Sequence, residues 1–332
     1  MKLSDFSYYL PKDRIAQFPL ADRGEAKLLF LDRSTGKISH HKFYEISKFF
    51  KSGDVLVINN TKVFKARLNG KKETGGNVEI LLIKEIENNI WAAMISHAKR
   101  IKEKTKIFLD QDVYATIKEK FGARCSLEFN IDTKEIIKKY GVVPLPHYIK
   151  REIVQNDEEY YQTVFAKKSG SIAAPTAGLH FTEKILKDIT GRGVSITEIT
   201  LHIGTGTFKP IRSENVENHR MEAEYFEISA NAAEMINSDQ RVFGVGTSVA
   251  RALESFAHEE LKQSSGSTNL FIYPGCKFKV IDCLITNFHL PGSTPLLLVC
   301  AFASKDLIFK AYQEAIENKY RFLSYGDAML IL

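Results

Sequence analysis

The chain has 332 residues, 44% of them apolar and 26% charged, with a formal net charge of +6. That length supports two domains, or one large domain with an insertion, and the composition is that of a soluble globular protein. So mild a positive charge permits a nucleic-acid partner without establishing one, because a solvated lysine-rich surface carries the same charge. Cys125, Cys276, Cys283 and Cys300 lack the close spacing of zinc ligands and are too sparse for a disulfide framework, so buried free thiols in a reducing compartment are expected. The N-terminal segment from Met1 to Phe6 lacks the apolar core of a signal peptide, and the longest apolar run, Pro295 to Ala303, is roughly half of the ~20 residues a membrane span needs. A cytoplasmic protein is expected.

In chain order, Phe6 to Pro19 reads as an irregular arm or short helix, and Lys27 to Leu31 as a strand turning through Asp32 to Lys37 into a second. Lys42 to Phe50 has helical spacing. Asp54 to Asn60 is nearly all apolar, as a strand buried on both faces is. From Ala66 to Asp132 the texture changes to alternating apolar and charged residues. Val78 to Glu87, Trp91 to Ile95, Lys106 to Leu109 and Cys125 to Phe129 recur at hairpin intervals, with turns at Asn88-Asn89 and Phe121-Gly122. This predicts a small all-β barrel or sandwich over 66–141, inserted into a larger α/β domain formed by 1–65 and 142–332.

After extended chain at Gly141 to Ile149, helices and strands alternate. Helices are predicted at Thr182–Thr190, with Thr182 as N-cap, Ala230–Ser238, Ser248–Lys262 and Lys305–Glu317. Strands are predicted at Val194–His202, Val242–Val245 and Phe278–Thr286. Gln263 to Thr268 reads as a polar loop, and Leu296 to Phe302 as an apolar helix or strand.

Three blocks set a histidine beside apolar residues and a Gly or Pro turn. They are Ala173 to Thr182 with His180, Leu201 to Phe208 with His202, and Thr286 to Thr294 with His289. Histidine exchanges protons near neutral pH and glycine lets backbone approach a ligand, so the three are acid/base candidates in a pocket made of loops. A lone histidine among apolar residues is more often a hydrogen-bonded core residue, but three in similar Gly/Pro contexts point to function for at least one. Their spacing matches no metal-ligand motif, so no metal is expected. Asp282 and Asp327 are the candidate carboxylate partners, and for Asp282 an exposed strand position is the even alternative.

Phe243 to Ser248 runs from a strand into a helix whose start can receive an anion. It falls short of a dinucleotide-binding signature, and a tight turn capped by Ser248 explains it as well. Arg251 and Glu254, one turn apart, can pair with each other or face a substrate. Gly204, Thr205, Gly206 and Thr207 form a second glycine loop, suited to a sugar or phosphate or else to a β-bulge. The densest basic stretch holds Lys99, Arg100 and Lys102, with Arg67 nearby; it suits phosphate contacts or a merely solvated face.

These blocks resemble the S-adenosylmethionine:tRNA ribosyltransferase-isomerase family over nearly the whole chain. The matching segments include Asn59-Asn60-Thr61, Ala66-Arg67-Leu68, Pro144-Leu145-Pro146, Tyr161-Gln162-Thr163-Val164, Ala173 to Phe181, Thr200 to Pro210, Gly246 to Ser255, Phe271 to Gly275, Thr286 to Pro291 and Tyr320 to Ala328. Departures are Lys62, Lys65 and His147, and Glu222 where a histidine is usual, so no proton-carrying role is transferred to that side chain. The sequence stops soon after Asp327, without the short tail of many relatives.

The resemblance implies transfer and isomerisation of the ribosyl part of S-adenosylmethionine onto 7-aminomethyl-7-deazaguanine at the wobble position of tRNA, releasing adenine and methionine. It implies that S-adenosylmethionine is consumed, that no resident cofactor is needed, and that the protein is a monomer. Such a reaction needs a base for the carbon beside the sulfonium and an acid for departing adenine. His180, His202 and His289, tuned by Asp282, are expected to supply them. Thr176, Gly178, Gly204, Thr205, Gly206, Thr207, Gly246, Thr247, Ser248, Arg251, Glu254 and Asn287 are expected to hold substrate, and Arg67, Lys99, Arg100 and Lys102 the tRNA. The competing readings are an S-adenosylmethionine-dependent RNA methyltransferase, whose usual N-terminal glycine-rich motif is absent, and a non-catalytic RNA-binding module, which leaves the His/Gly loops unexplained.

Overall fold

A computed structural model describes residues 1–208, 211–238, 240–256, 262 and 264–332. Strands β1 (Lys27–Leu31), β2 (Ile38–Lys42), β3 (Val55–Asn59) and β4 (Thr61–Val63) come first. They are followed by β5 (Arg67–Lys72), β6 (Asn77–Glu87), β7 (Ile90–Ile95), β8 (Lys106–Phe108), β9 (Tyr114–Phe121) and β10 (Arg124–Phe129). The rest are β11 (Lys168–Ser171), β12 (Ser195–Leu201), β13 (Glu224–Ile228), β14 (Val242–Val245), β15 (Ser264–Thr268), β16 (Cys283–Asn287) and β17 (Ala328–Ile331).

Among the described residues, nine strands form one sheet in the order β15-β13-β12-β3-β14-β16-β17-β1-β2. Its centre, β12, β3, β14 and β16, is parallel. Successive side chains of a strand point to opposite faces, and β3 shows what that does here. Val55 and Val57 enter one core with the helices Ala230–Ile236, Thr247–Glu254 and Thr294–Ala303, while Leu56 and Ile58 enter a second with Phe43, Phe181 and Ile185. All five β3 residues are buried, which is why the segment reads as an unbroken apolar run.

Strands β5 to β10 close into an antiparallel barrel. Alternate residues of β6, Val78, Ile80 and Leu82, point into its core with Leu68, Ala93, Ile117 and Leu127. The expected class, an α/β body carrying an inserted all-β barrel, is therefore the fold. The necks of the barrel meet: Arg67 N donates to Val142 O at 3.2 Å and Val142 N to Arg67 O at 2.9 Å. Just outside them, β4 pairs in parallel with β11.

Several elements differ from expectation. The helix expected over Ser248–Lys262 is helical only over Thr247–Glu254, and residues 257–261 lie outside the described residues. It stops because Ser255 Oγ caps Arg251 O at 2.6 Å and the Glu254 carboxylate turns to the amides of Lys279, Val280 and Ile281 at 2.9, 3.0 and 3.0 Å. Those amides are thereby taken out of the strand expected over Phe278–Thr286, which begins only at Cys283. Of the polar loop expected over Gln263–Thr268, Gln263 lies outside the described residues and Ser264–Thr268 is an edge strand on β13. An edge strand needs only its backbone groups, so small wet side chains suffice. The apolar segment Leu296 to Phe302 is helix, capped by Ser293 Oγ on Leu296 N and buried nearly all round.

Candidate active site

Because β12, β3, β14 and β16 are parallel, they end on one side of the sheet, at Leu201, Asn59, Val245 and Asn287. Ligands of open α/β sheets bind beyond such carboxyl ends. Asn59 ties three of these ends together. Its carbonyl accepts from Leu201 N (3.0 Å) and Thr61 N (3.1 Å), and its amide donates to Leu201 O (2.9 Å) and Ser248 Oγ (3.3 Å). Gly246 follows β14 with φ +89°, a left-handed turn that suits glycine, and starts the helix Thr247–Glu254. A cleft of about 510 Å³ opens here. Its walls are the loop 173–177, the helix start 246–248, the segment 270–272, the loop 286–295, and Pro146 to Tyr148 with Ser324.

On one wall, Asn287 accepts from Thr176 Oγ1 at 2.8 Å and donates to Nε2 of His180 at 3.0 Å. His289 presents Nε2 to Thr286 Oγ1 at 2.9 Å, and its backbone N–H donates to Tyr312 Oη at 3.0 Å. Burial lowers both imidazoles to about 3, for His180 with help from the Arg321 and Arg23 charges. Both are therefore neutral at pH 7. Opposite, Arg251 pairs with Glu224 at 2.5 Å in a buried ion pair, and Glu224 also accepts from Gly204 N at 2.9 Å. Tyr148 Oη meets Ser324 Oγ at 2.5 Å, and burial raises the Tyr148 phenol to about 12.

A family model described as queuosine biosynthesis protein matches residues 3–331. The chain belongs to the queuosine biosynthesis protein family. It is 48% identical, over 100% of both chains, to the S-adenosylmethionine:tRNA ribosyltransferase-isomerase of Sulfurihydrogenibium sp. (strain YO3AOP1). It is also 48% identical over 100% of both to the protein of that name from Halothermothrix orenii. A crystal structure of S-adenosylmethionine tRNA ribosyltransferase from Thermotoga maritima is 33% identical, with a TM-score of 0.58, covering 99% of this chain and 100% of that one.

Within this queuosine-family chain, Thr176, Gly246, Thr247, Ser248, Arg251, Asn287 and His289 all line the cleft. The expected cluster of three histidines is not formed. His289 lines the cleft, whereas His180 lies behind Asn287 against Phe43. His202 faces the other way, bonded to Thr61 Oγ1 at 2.7 Å and stacked on Tyr225; burial and nearby Lys168 lower its proton affinity. Gly170 permits that packing, since a Cβ there would stand 2.6 Å from the ring.

Asp282 does not tune a histidine: it is exposed, does not line the cleft, and accepts from Val242 N at 2.8 Å. As the residue before β16, its carboxylate serves the neighbouring β14 at the far end from the cleft. Asp327 is buried, its carboxylate taken by Lys27 N (2.8 Å) and Arg321 N (2.7 Å), and burial pushes its carboxyl up. Glu254 neither pairs with Arg251 nor reaches the cleft; it holds the 279–281 amides instead.

Gly178 is packed under the Phe165 ring, and Gly204, Thr205 and Gly206 form a supporting turn beside the cleft. Thr205 Oγ1 donates to Glu222 at 2.6 Å, and Glu222 in turn pairs with Arg124 of the barrel. The side chain of Thr207 lies outside the described residues. Arg67 is not a free surface cation: it is mostly buried at the barrel neck, donating to Leu145 O at 2.8 Å near Glu79. Lys99, Arg100 and Lys102 are exposed on the barrel.

The cleft also takes polar groups outside the expected site residues, among them Tyr148, Glu224, Thr286 and Ser324. Glu224 carries a sign that was there to be read: it alternates with Phe226 and Ile228 on the buried face of β13, where an unpaired charge is costly and a partner is required. Ser324 carries no such sign.

Proposed function

We propose that this protein transfers and isomerises the ribosyl group of S-adenosylmethionine onto 7-aminomethyl-7-deazaguanine at the wobble position of tRNA, giving epoxyqueuosine in tRNA with release of adenine and methionine. The observation that carries this reading is the full-length, 48% identity to enzymes named for that transfer. The cleft supports it with groups the chemistry requires.

The first demand is removal of a proton from the carbon beside the positive sulfur. Of the three histidines His289 is the one that lines the cleft, with Thr286 Oγ1 orienting its Nε2, which supports it as the proton acceptor. His180 and Thr176 act through Asn287 and are positioning residues. Apolar walls such as Ile272, Phe288 and Leu298 exclude water from ring-opened intermediates. S-adenosylmethionine is consumed as a substrate, and no resident cofactor takes part.

The tRNA side of the proposal rests on the barrel. Lys99, Arg100 and Lys102 border the same surface hollow as Gly122 and Ala123. The next residue, Arg124, reaches Glu222, which holds Thr205 beside the cleft rim formed by Met221 and Glu224. A tRNA backbone held by this basic end would present its anticodon to the cleft, with the target base swung out of the stack. The resemblance supports a cytoplasmic monomer, and among the described residues no helix is long and apolar enough to cross a membrane.

The test is incubation of the purified protein with S-adenosylmethionine and tRNA bearing 7-aminomethyl-7-deazaguanine, followed by chromatography. Adenine together with a new tRNA nucleoside is expected. S-adenosylhomocysteine instead would identify a methyltransferase, and bound RNA with no turnover a binding module.

A further inference from the structure

The cleft is almost free of charge. Among its described lining residues the carboxylate is Glu224 and the guanidinium is Arg251; the others offer apolar, hydroxyl, amide or imidazole groups. Arg251 is only 7% exposed. Its Nε donates to Leu270 O at 3.0 Å and its Nη1 to Glu224 at 2.5 Å, both residues of the cleft wall. Its Nη2 is buried and has no hydrogen-bond partner. A guanidinium buried with an idle donor is unfavourable unless something else fills the position. The geometry of a guanidinium matches a carboxylate or a phosphate, to which it can offer parallel N–H bonds. One turn earlier on the same helix, Thr247 and Ser248 bring the first-turn amides to the cleft, where they favour negative charge as well.

We propose that Arg251 Nη2, with the first turn of the helix Thr247–Glu254, receives the α-carboxylate at the amino-acid end of S-adenosylmethionine. Glu224 is the positioning residue: bonded to Gly204 N and Arg251 Nη1, it fixes the guanidinium. A zwitterionic amino-acid end then enters a site where the described lining residues carry one charge of each sign, Arg251 and Glu224. The depth of Arg251 selects a small ligand's carboxylate over a tRNA phosphate, which a barely exposed side chain meets poorly. This inference rests on the ribosyl-transfer reading for the identity of the ligand.

Binding by calorimetry, read independently of turnover, tests it. S-adenosylmethionine and decarboxylated S-adenosylmethionine are titrated into the wild-type chain and Arg251→Gln. Wild type is expected to prefer the carboxylated ligand by about 10-fold to 100-fold, the range of a charge-assisted hydrogen bond. Arg251→Gln is expected to bind both within about threefold of each other. Because Gln would leave Glu224 buried without its cation, Arg251→Gln/Glu224→Gln is measured beside it, with circular dichroism as the fold check, and the same loss of preference is expected. A preference retained in both variants, or absent from the wild type, overturns the proposal. So does a variant that weakens tRNA binding while keeping the ligand preference, since the anion would then be a phosphate. Tight binding with the expected preference but no adenine release would instead sink the ribosyl-transfer reading and leave the carboxylate site standing.

Discussion

Asn287 donates to Nε2 of His180 at 3.0 Å while its own carbonyl accepts the Thr176 hydroxyl at 2.8 Å. The amide thus has a fixed orientation, and His180 is fixed as the tautomer that accepts at Nε2 and carries its proton on Nδ1. The three side chains come from β16, from the turn of 3-10 helix Thr176–His180, and from its last residue. The cleft wall is therefore shaped by a relay of neutral hydrogen bonds.

Asn287→Ala removes that relay and leaves the buried His180 nitrogen and the Thr176 hydroxyl without their partner. A loss of about 1–3 kcal/mol in urea unfolding is expected, together with a fall in kcat. A variant with wild-type unfolding would show that the relay is dispensable.

The buried imidazoles also set an acid limit. His180 and His289 sit at about 3 in the fold against an ordinary 6.5, because burial disfavours the imidazolium. Between those values the unfolded chain binds protons that the folded chain does not. Their contribution is fully present above pH 6.5 and is lost as the pH falls toward 3, at up to about 1.4 kcal/mol per pH unit for each histidine. Urea midpoints at pH 7, 6 and 5 should fall in step, and His180→Gln should flatten the slope.

Gly246→Ala tests the turn into the helix at the cleft. A Cβ would find room, its nearest neighbours lying 3.6 Å away at Ala177 and Ser248, but φ is +89°. The cost therefore comes from backbone strain, about 1–2 kcal/mol. A lower melting temperature and a raised KM for S-adenosylmethionine are expected; an unchanged KM would separate this turn from the substrate.

Replacing Lys99, Arg100 and Lys102 together by Ala should weaken tRNA binding evenly across tRNA sequences. It should also reduce the slope of log affinity against log salt by about 2–3. The KM for S-adenosylmethionine should not change, and filter binding at several salt concentrations reads the slope. An unchanged slope would move the tRNA path off this end of the barrel.

The fold was legible where one physical rule acts alone. The buried strand β3 shows as a continuous apolar run, and the barrel shows as alternation with hairpin turns at Asn88-Asn89 and Phe121-Gly122. It was less legible where side chains capture backbone. Glu254 draws the amides of 279–281 away from a strand, and nothing in Lys279-Val280-Ile281 announces it. β17 lies fully buried between β16 and β1 at the end of the sequence, where no turn signal follows to mark it as a strand. At the cleft, local Gly and Pro contexts pointed to the loops that line it. They could not tell a histidine that faces the cleft, His289, from one packed behind it, His180, or from one turned away, His202, because the same motif serves all three.

The two necks of the barrel, Arg67 and Val142, are hydrogen-bonded neighbours, and β4 and β11 run side by side just beyond them. The chain thus leaves and re-enters the host body at one place, where the two ends already lie within hydrogen-bonding distance of each other. Excising everything between and rejoining the chain there would ask the larger sheet to close almost no gap. More than that joint sets the barrel's pose beside the cleft: Ile172 and Phe64 of the host pack with its core, and Arg124 pairs with Glu222, so a shift of the barrel would be felt at the cleft rim.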